Sequence, residues 1–251
     1  MNPEVRITGL RAPADIPPGL DLARTIIEAA QAQGLTLTTG DILVVTSKIV
    51  SKAEGQLVDL DTITPSPFAE QIARAQDRDP KLIELVLRES RRVVKMDQRT
   101  LIVETKHGLV CANAGVDQSN VAGARIAALL PADADASAQR LRQGLRERTG
   151  AEVAVIISDT FGRPWREGFT NVAIGVAGME PLKDYRGLPD TEGHVLQATI
   201  LAVADELASA AELVMGKLDG VPLAVIRGYA YTPGEGTAAK MIRPRETDLF
   251  R

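Results

Sequence analysis

Leu101-Ile-Val-Glu-Thr-Lys-His-Gly-Leu-Val-Cys-Ala-Asn113 is the segment on which the fold class turns. Two short apolar stretches flank the Lys106-His-Gly-Leu turn, and that pattern reads as an antiparallel hairpin. Such a hairpin, set among strands that alternate with helical patterns, favours α+β over a purely parallel α/β sheet. Further Val- and Ile-rich runs predict strands at Asp41–Thr46, Arg92–Met96, Val153–Ile157 and Pro222–Ile226. Between them, apolar residues at helical spacing predict helices at Asp21–Ala32, Phe68–Gln76, Lys81–Glu89, Asn120–Leu129 and Ser137–Thr149. A longer helix is predicted from about Glu192 to Met215, where Val195, Ala198, Ala202, Leu207 and Ala211 keep near a 3.6-residue rhythm.

The 251 residues suffice for one large domain or two small ones, and no repeat or low-complexity linker divides them. Residues 1–251 therefore read as a single unit, with room for two intertwined subdomains. With 45% hydrophobic and 25% charged residues the chain has the composition of a globular protein, which excludes global disorder. No apolar run approaches the roughly 18–20 residues that span a bilayer, so no membrane partner is expected. Met1–Arg11 carries charge and proline where a secretory leader needs an apolar core. The single cysteine, Cys111, forms no internal disulfide and reads as a small buried apolar group, which suits the cytoplasm. A net charge of −4 supplies no global basic field, so nucleic acid is not an expected partner and any polyanion must be met locally.

Four clusters offer that local chemistry. Asp159-Thr160 follows the apolar run Val153–Ser158, so a buried strand is expected to present a carboxylate and a hydroxyl at its open end. Asp117 stands in Asn113-Ala-Gly-Val-Asp-Gln-Ser-Asn120, after a glycine turn and ahead of the predicted helix. Carboxylate and hydroxyl oxygens suit Mg²⁺ or Mn²⁺, and two loops could share one ion. The alternative is that Asp117 and Ser119 cap a helix and Asp159 lies in a turn. Thr46-Ser-Lys-Ile-Val-Ser-Lys52 places hydroxyls and two ammonium groups, Lys48 and Lys52, in a loop after a strand, which suits phosphate oxygens. The spacing is not that of a P-loop, and a solvated surface is the alternative. Arg163 and Arg166 flank Pro164 and Trp165, and Lys183 and Arg186 lie in a second loop. These four cations are candidates for an anionic substrate, with surface ion pairs as the alternative. Trp165 reads as packing, and His107 and His194 lack ligand-like spacing.

Together these blocks resemble a family, the coenzyme F-420:L-glutamate ligases, also called F-420-0:gamma-glutamyl ligases. The resemblance rests on Gly40-Asp-Ile-Leu-Val-Val-Thr-Ser-Lys-Ile-Val-Ser-Lys52, Gly115-Val-Asp-Gln-Ser-Asn120, Ile157-Ser-Asp-Thr-Phe-Gly-Arg-Pro-Trp-Arg166, Asp184-Tyr-Arg-Gly187 and the segment Ala204–Lys217. It implies a gamma-glutamyl ligase-like α+β fold of mixed, largely antiparallel sheets in a two-fold homodimer. It also implies GTP-dependent addition of L-glutamate to a deazaflavin coenzyme precursor through an acyl phosphate, extension of a gamma-linked tail, and release of GDP and phosphate.

By the same resemblance, Asp117, Asp159 and Lys52 are the catalytic set. Asp117 and Asp159 hold one divalent ion, Mg²⁺ or Mn²⁺, and Thr160 serves a second, with K⁺ as a further ion. Gly9, Leu10, Arg11, Ala12, Ser47, Lys52, Asn120, Met215, Gly216 and Lys217 contact GTP. Some members carry an acid where this chain has Lys217, so that position receives no metal role. The end of the chain at Arg251 leads us to expect no C-terminal nitroreductase-related domain. Two rival readings stay open: a ligase for another acidic acceptor, and a nucleotide-binding protein without catalysis.

Overall fold

The structure, a computed structural model, describes residues 3–13, 15–118 and 125–248. In chain order its elements are β1 (Arg6–Leu10), α1 (Leu22–Ala32), β2 (Ile42–Thr46), α2 (Ser47–Ala53), β3 (Leu57–Asp59), α3 (Pro67–Gln76), α4 (Pro80–Arg88), β4 (Ser90–Met96), β5 (Leu101–Thr105), β6 (Val110–Ala112), β7 (Ile126–Ala128), α5 (Ala134–Thr149), β8 (Ala154–Arg163), β9 (Arg166–Ala177), β10 (Lys183–Asp184), β11 (Ile200–Leu201), α6 (Val203–Met215) and β12 (Leu223–Arg227). The fold is α+β. Among the described strands only β2 and β8 pair in parallel; the other pairings are antiparallel.

Five strands form the main sheet in the order β1-β12-β2-β8-β9. Strand periodicity sends Leu43, Val45, Val155 and Ile157 into one core, with α1 and α5, and Ile42, Val44, Ala154 and Ile156 into another, against α6. Both faces of β2 are covered, which is why its run is continuously apolar and not alternating. Alanines 204, 208 and 211 let α6 approach the sheet closely. The predicted hairpin is present, with Val103 opposite Cys111 and Gly108 in the left-handed region at φ +88°. It belongs to a second set of cores built from α3, α4 and β4–β6, where Ile72, Ile83, Leu101 and Val103 are buried. Cys111 is buried, and burial pushes its thiol up to about 12.

Three expected elements differ. The helix expected from Glu192 begins at Val203. Upstream, Gly193 takes φ +86°, and β-branched Ile200 pairs with Asp184 in the β10–β11 ladder, so ladder pairing and turn chemistry prevail over the alanine rhythm. The helix expected over Asn120–Leu129 is replaced at its C-terminal end by β7, whose Ala127 and Ala128 pair with Val58 and Leu57. There, cross-strand pairing outweighs alanine's helix propensity. Residues 119–124 lie outside the described residues. Finally, β8 does not stop after Ile157 but continues to Arg163 alongside β9.

Candidate active site

The longer β8 changes what surrounds Asp159. Its parallel partner β2 ends where Thr46 faces Ser158, and the chain there turns directly into α2. Asp159 is therefore no turn residue at a strand's open end. It sits within β8, at the first position beyond β2, facing the start of α2. Ser47 Oγ donates to Asp159 Oδ1 at 2.8 Å. The loop expected at Thr46–Lys52 is a helix of 7 residues, which puts Ser47 and Ser51 on one face and Lys48 and Lys52 one turn apart. Lys48 Nζ donates to Asp117 Oδ2 at 2.5 Å.

Asp117 reaches this point from the second set of cores. Its backbone exchanges two hydrogen bonds with Ala128, at 3.0 and 2.8 Å. Before it, Asn113, Ala114 and Gly115 all have φ between +54° and +69°, and a Cβ on Gly115 would stand 2.8 Å from the Leu130 side chain. The two aspartates thus come from distant segments, and each interacts electrostatically with the other and with Lys48. Burial pushes the Asp159 carboxyl up to about 6, the Ser47 and Thr160 hydrogen bonds and the Lys48 charge oppose that rise, and the Asp117 charge adds to it. Carboxylate oxygens of this kind, one paired with an ammonium whose charge the other also feels, suit a hard divalent cation. Among the described residues no third His, Cys, Asp or Glu joins them in a metal-holding group. Lys52 lies beside Lys48, and burial followed by Lys48 repulsion lowers its pKa.

On the other face of β8 the side chain of Thr160 meets α6 and the loop after it. Thr160 Oγ1 donates to Asn171 Oδ1 at 2.8 Å and accepts from Lys217 Nζ at 2.6 Å. Lys217 also pairs with Glu212 at 2.8 Å. That loop rests on the end of β1: Arg11 Nη1 donates to the Asp219 carbonyl at 2.9 Å, and a Cβ on Gly9 would stand 2.8 Å from the Val214 carbonyl oxygen. The geometry thus joins Arg11 to Asp219 and Lys217 to Thr160 on one face of β8, and Ser47 to Asp159 on the other, where Lys48 pairs with Asp117.

Residues 9–228 match the family described as F420-0:Gamma-glutamyl ligase. The chain belongs to this family of amino-acid ligases. It is similar to the protein named "Coenzyme F420:L-glutamate ligase" of Methanothermobacter thermautotrophicus, 49% identical over 93% of each chain. Proteins of the same name are 44% identical in Methanopyrus kandleri, over 99% of this chain and 98% of the relative, and 45% identical in Methanocaldococcus jannaschii, over 84% and 85%.

Against this gamma-glutamyl ligase framework the remaining sequence expectations can be placed. Leu10 and Met215 are core residues, so only their backbones can face a nucleotide. Asn120 lies outside the described residues. Arg163 and Arg166 sit at the β8–β9 turn, where Arg163 Nη2 donates to the Glu167 carbonyl. Trp165 does not pack in the core: it takes φ +57° at the tip of the β8–β9 extension and is 79% exposed. Lys183 lies 5.0 Å over the Tyr185 ring, and Arg186 is bound by both oxygens of Asp184. No described contact joins these four cations to the acid pair. Asn171 and Glu212 were not anticipated. The signal for Asn171 is a polar residue inside the apolar run of β9, and for Glu212 an acid on a helix otherwise rich in alanine.

Proposed function

We propose that this chain is a GTP-dependent ligase that adds L-glutamate to the coenzyme precursor F-420-0 and extends its gamma-linked tail, releasing GDP and phosphate. The observation that carries the reading is the convergence of Asp117 and Asp159 beside the Lys48–Lys52 face of α2. Family membership and the names of the relatives supply the substrate class.

In this reading Asp117 and Asp159 would hold Mg²⁺ or Mn²⁺, with Asp159 ionised and Lys48 released from the Asp117 oxygen. Such an ion would supply charge stabilisation to the phosphoryl group being transferred. Lys48 and Lys52, one turn apart, serve the neighbouring phosphate oxygens, and Ser47 keeps Asp159 aligned. Residues 9–12 and the 215–217 loop form the ledge for the rest of the nucleotide. The precursor's carboxylate attacks the terminal phosphorus and GDP leaves. The glutamate amine then attacks the resulting acyl phosphate, and phosphate leaves as the amide forms. The attacking groups belong to the substrates, so no side-chain nucleophile is required.

A homodimer, as in the family resemblance, would give exposed Trp165, Phe169, Leu213 and Leu218 surface to pack against. A single buried Cys111 without a disulfide suits work in the cytoplasm. The test is to incubate the protein with GTP, Mn²⁺, L-glutamate and F-420-0 and to follow mass and GDP. A gain of glutamyl units matched by GDP supports the proposal; no gain with any nucleotide removes it.

A further inference from the structure

We infer that the ammonium group of Lys217 occupies the place of a second cation, so that the chain uses one divalent ion together with one built-in positive charge. The inference rests on the reading that Asp117 and Asp159 hold the first ion.

Resemblance assigns Thr160 to a second divalent ion, but its surroundings do not fit one. Neighbouring residues of a strand point to opposite faces. Asp159 accordingly faces Ser47 at the start of α2, while the Thr160 hydroxyl faces Asn171 and the end of α6. There the oxygens are already assembled around a cation. Lys217 Nζ lies 2.6 Å from Thr160 Oγ1, 2.8 Å from Glu212 Oε1 and 3.4 Å from Asn171 Oδ1. An ammonium has three donors and here finds three acceptors. The acceptors are themselves oriented: Thr160 donates to Asn171 Oδ1, and Asn171 Nδ2 donates to Glu212 Oε2 at 2.7 Å. A divalent metal at this spot would face a like charge and would have to displace Lys217 from Glu212.

The chain path favours this seat. Gly216 ends α6 at φ +61°, with Asp219 filling the space a side chain would need, and Lys217 then reaches back to Glu212 on its own helix. The seat is next to Asp159 in sequence and shares a loop with Asp219, which holds Arg11.

The experiment counts protein-bound Mn²⁺ by electron paramagnetic resonance, with and without GDP, in the wild type and in Lys217→Glu and Lys217→Arg. Circular dichroism establishes that each variant is folded. The expected result is one ion per chain in the wild type and Lys217→Arg, and two in Lys217→Glu. Two ions in the wild type overturn the inference, as does a single ion in a folded Lys217→Glu. If that variant does not fold, the wild-type count decides. No ion in the wild type with one in Lys217→Glu retains the Lys217 seat and removes the Asp117–Asp159 reading, whereas no ion in either removes both.

Discussion

Ser47 Oγ donates to Asp159 Oδ1 at 2.8 Å, tying the first residue of α2 to β8 where the parallel pair ends. This bond opposes the rise that burial imposes on the Asp159 pKa. A hydrogen bond to a charged group contributes about 1.5–3 kcal/mol. In Ser47→Ala the carboxyl is expected to titrate above its present value of about 6. Mn²⁺ affinity, followed by calorimetry, should fall several-fold at about pH 6.5 and by a smaller factor at about pH 8.5, where Asp159 is ionised in both proteins.

Asp159 also sets a pH dependence of stability. Its pKa rises from the usual 3.8 to about 6 on folding, so between those values the folded chain binds more protons than the unfolded one. Stability therefore falls as pH rises across that interval and stays lower above it. In metal-free buffer at about pH 7.5, Asp159→Asn should be more stable than the wild type by about 1–3 kcal/mol. Thermal unfolding should show the difference vanishing near pH 4, and added Mn²⁺ should stabilise only the wild type.

Removing the carboxylate should nevertheless abolish most turnover. Asp159→Ala is expected to lower the glutamate-dependent release of phosphate from GTP on the order of 100-fold or more, as for loss of a major electrostatic stabiliser. Circular dichroism should remain unchanged. Unchanged turnover would return Asp159 to a purely structural role.

Gly115 couples the second set of cores to the site. Its φ of +69° and the closeness of Leu130 leave no room for a Cβ. Gly115→Ala should cost about 1–3 kcal/mol of stability. Because Asp117 lies two residues on, Mn²⁺ affinity should fall as well, and the same titration detects it.

Much of this arrangement is legible in the sequence, for reasons that differ between elements. The apolar runs of β2 and β8 and the capped helices α1, α3 and α4 carry their own local signals, and Asp21, Ser66 and Asp79 do cap as such residues should. The segment 192–201 does not, because its structure depends on pairing between Ile200–Leu201 and Lys183–Asp184, which no local propensity encodes. The same holds for β7, a strand only because β3 lies beside it. At the site, Asp117, Asp159 and Lys52 stand out as candidates by residue type and flanking apolar runs. Opposite facing of Asp159 and Thr160 becomes visible only once β8 is known to continue past Ile157. The Asn171–Glu212–Lys217 cluster joins a strand, a helix and a loop, and its members reveal themselves only in three dimensions.

The central claim is that Asp117 and Asp159 together hold one divalent ion. Anomalous diffraction from crystals grown with Mn²⁺ and GDP tests it most directly. The account expects a manganese peak bonded to both carboxylates, with Lys48 moved away from Asp117 and no second peak at the Lys217 ammonium. A peak that touches neither carboxylate, or only one of them, would contradict it.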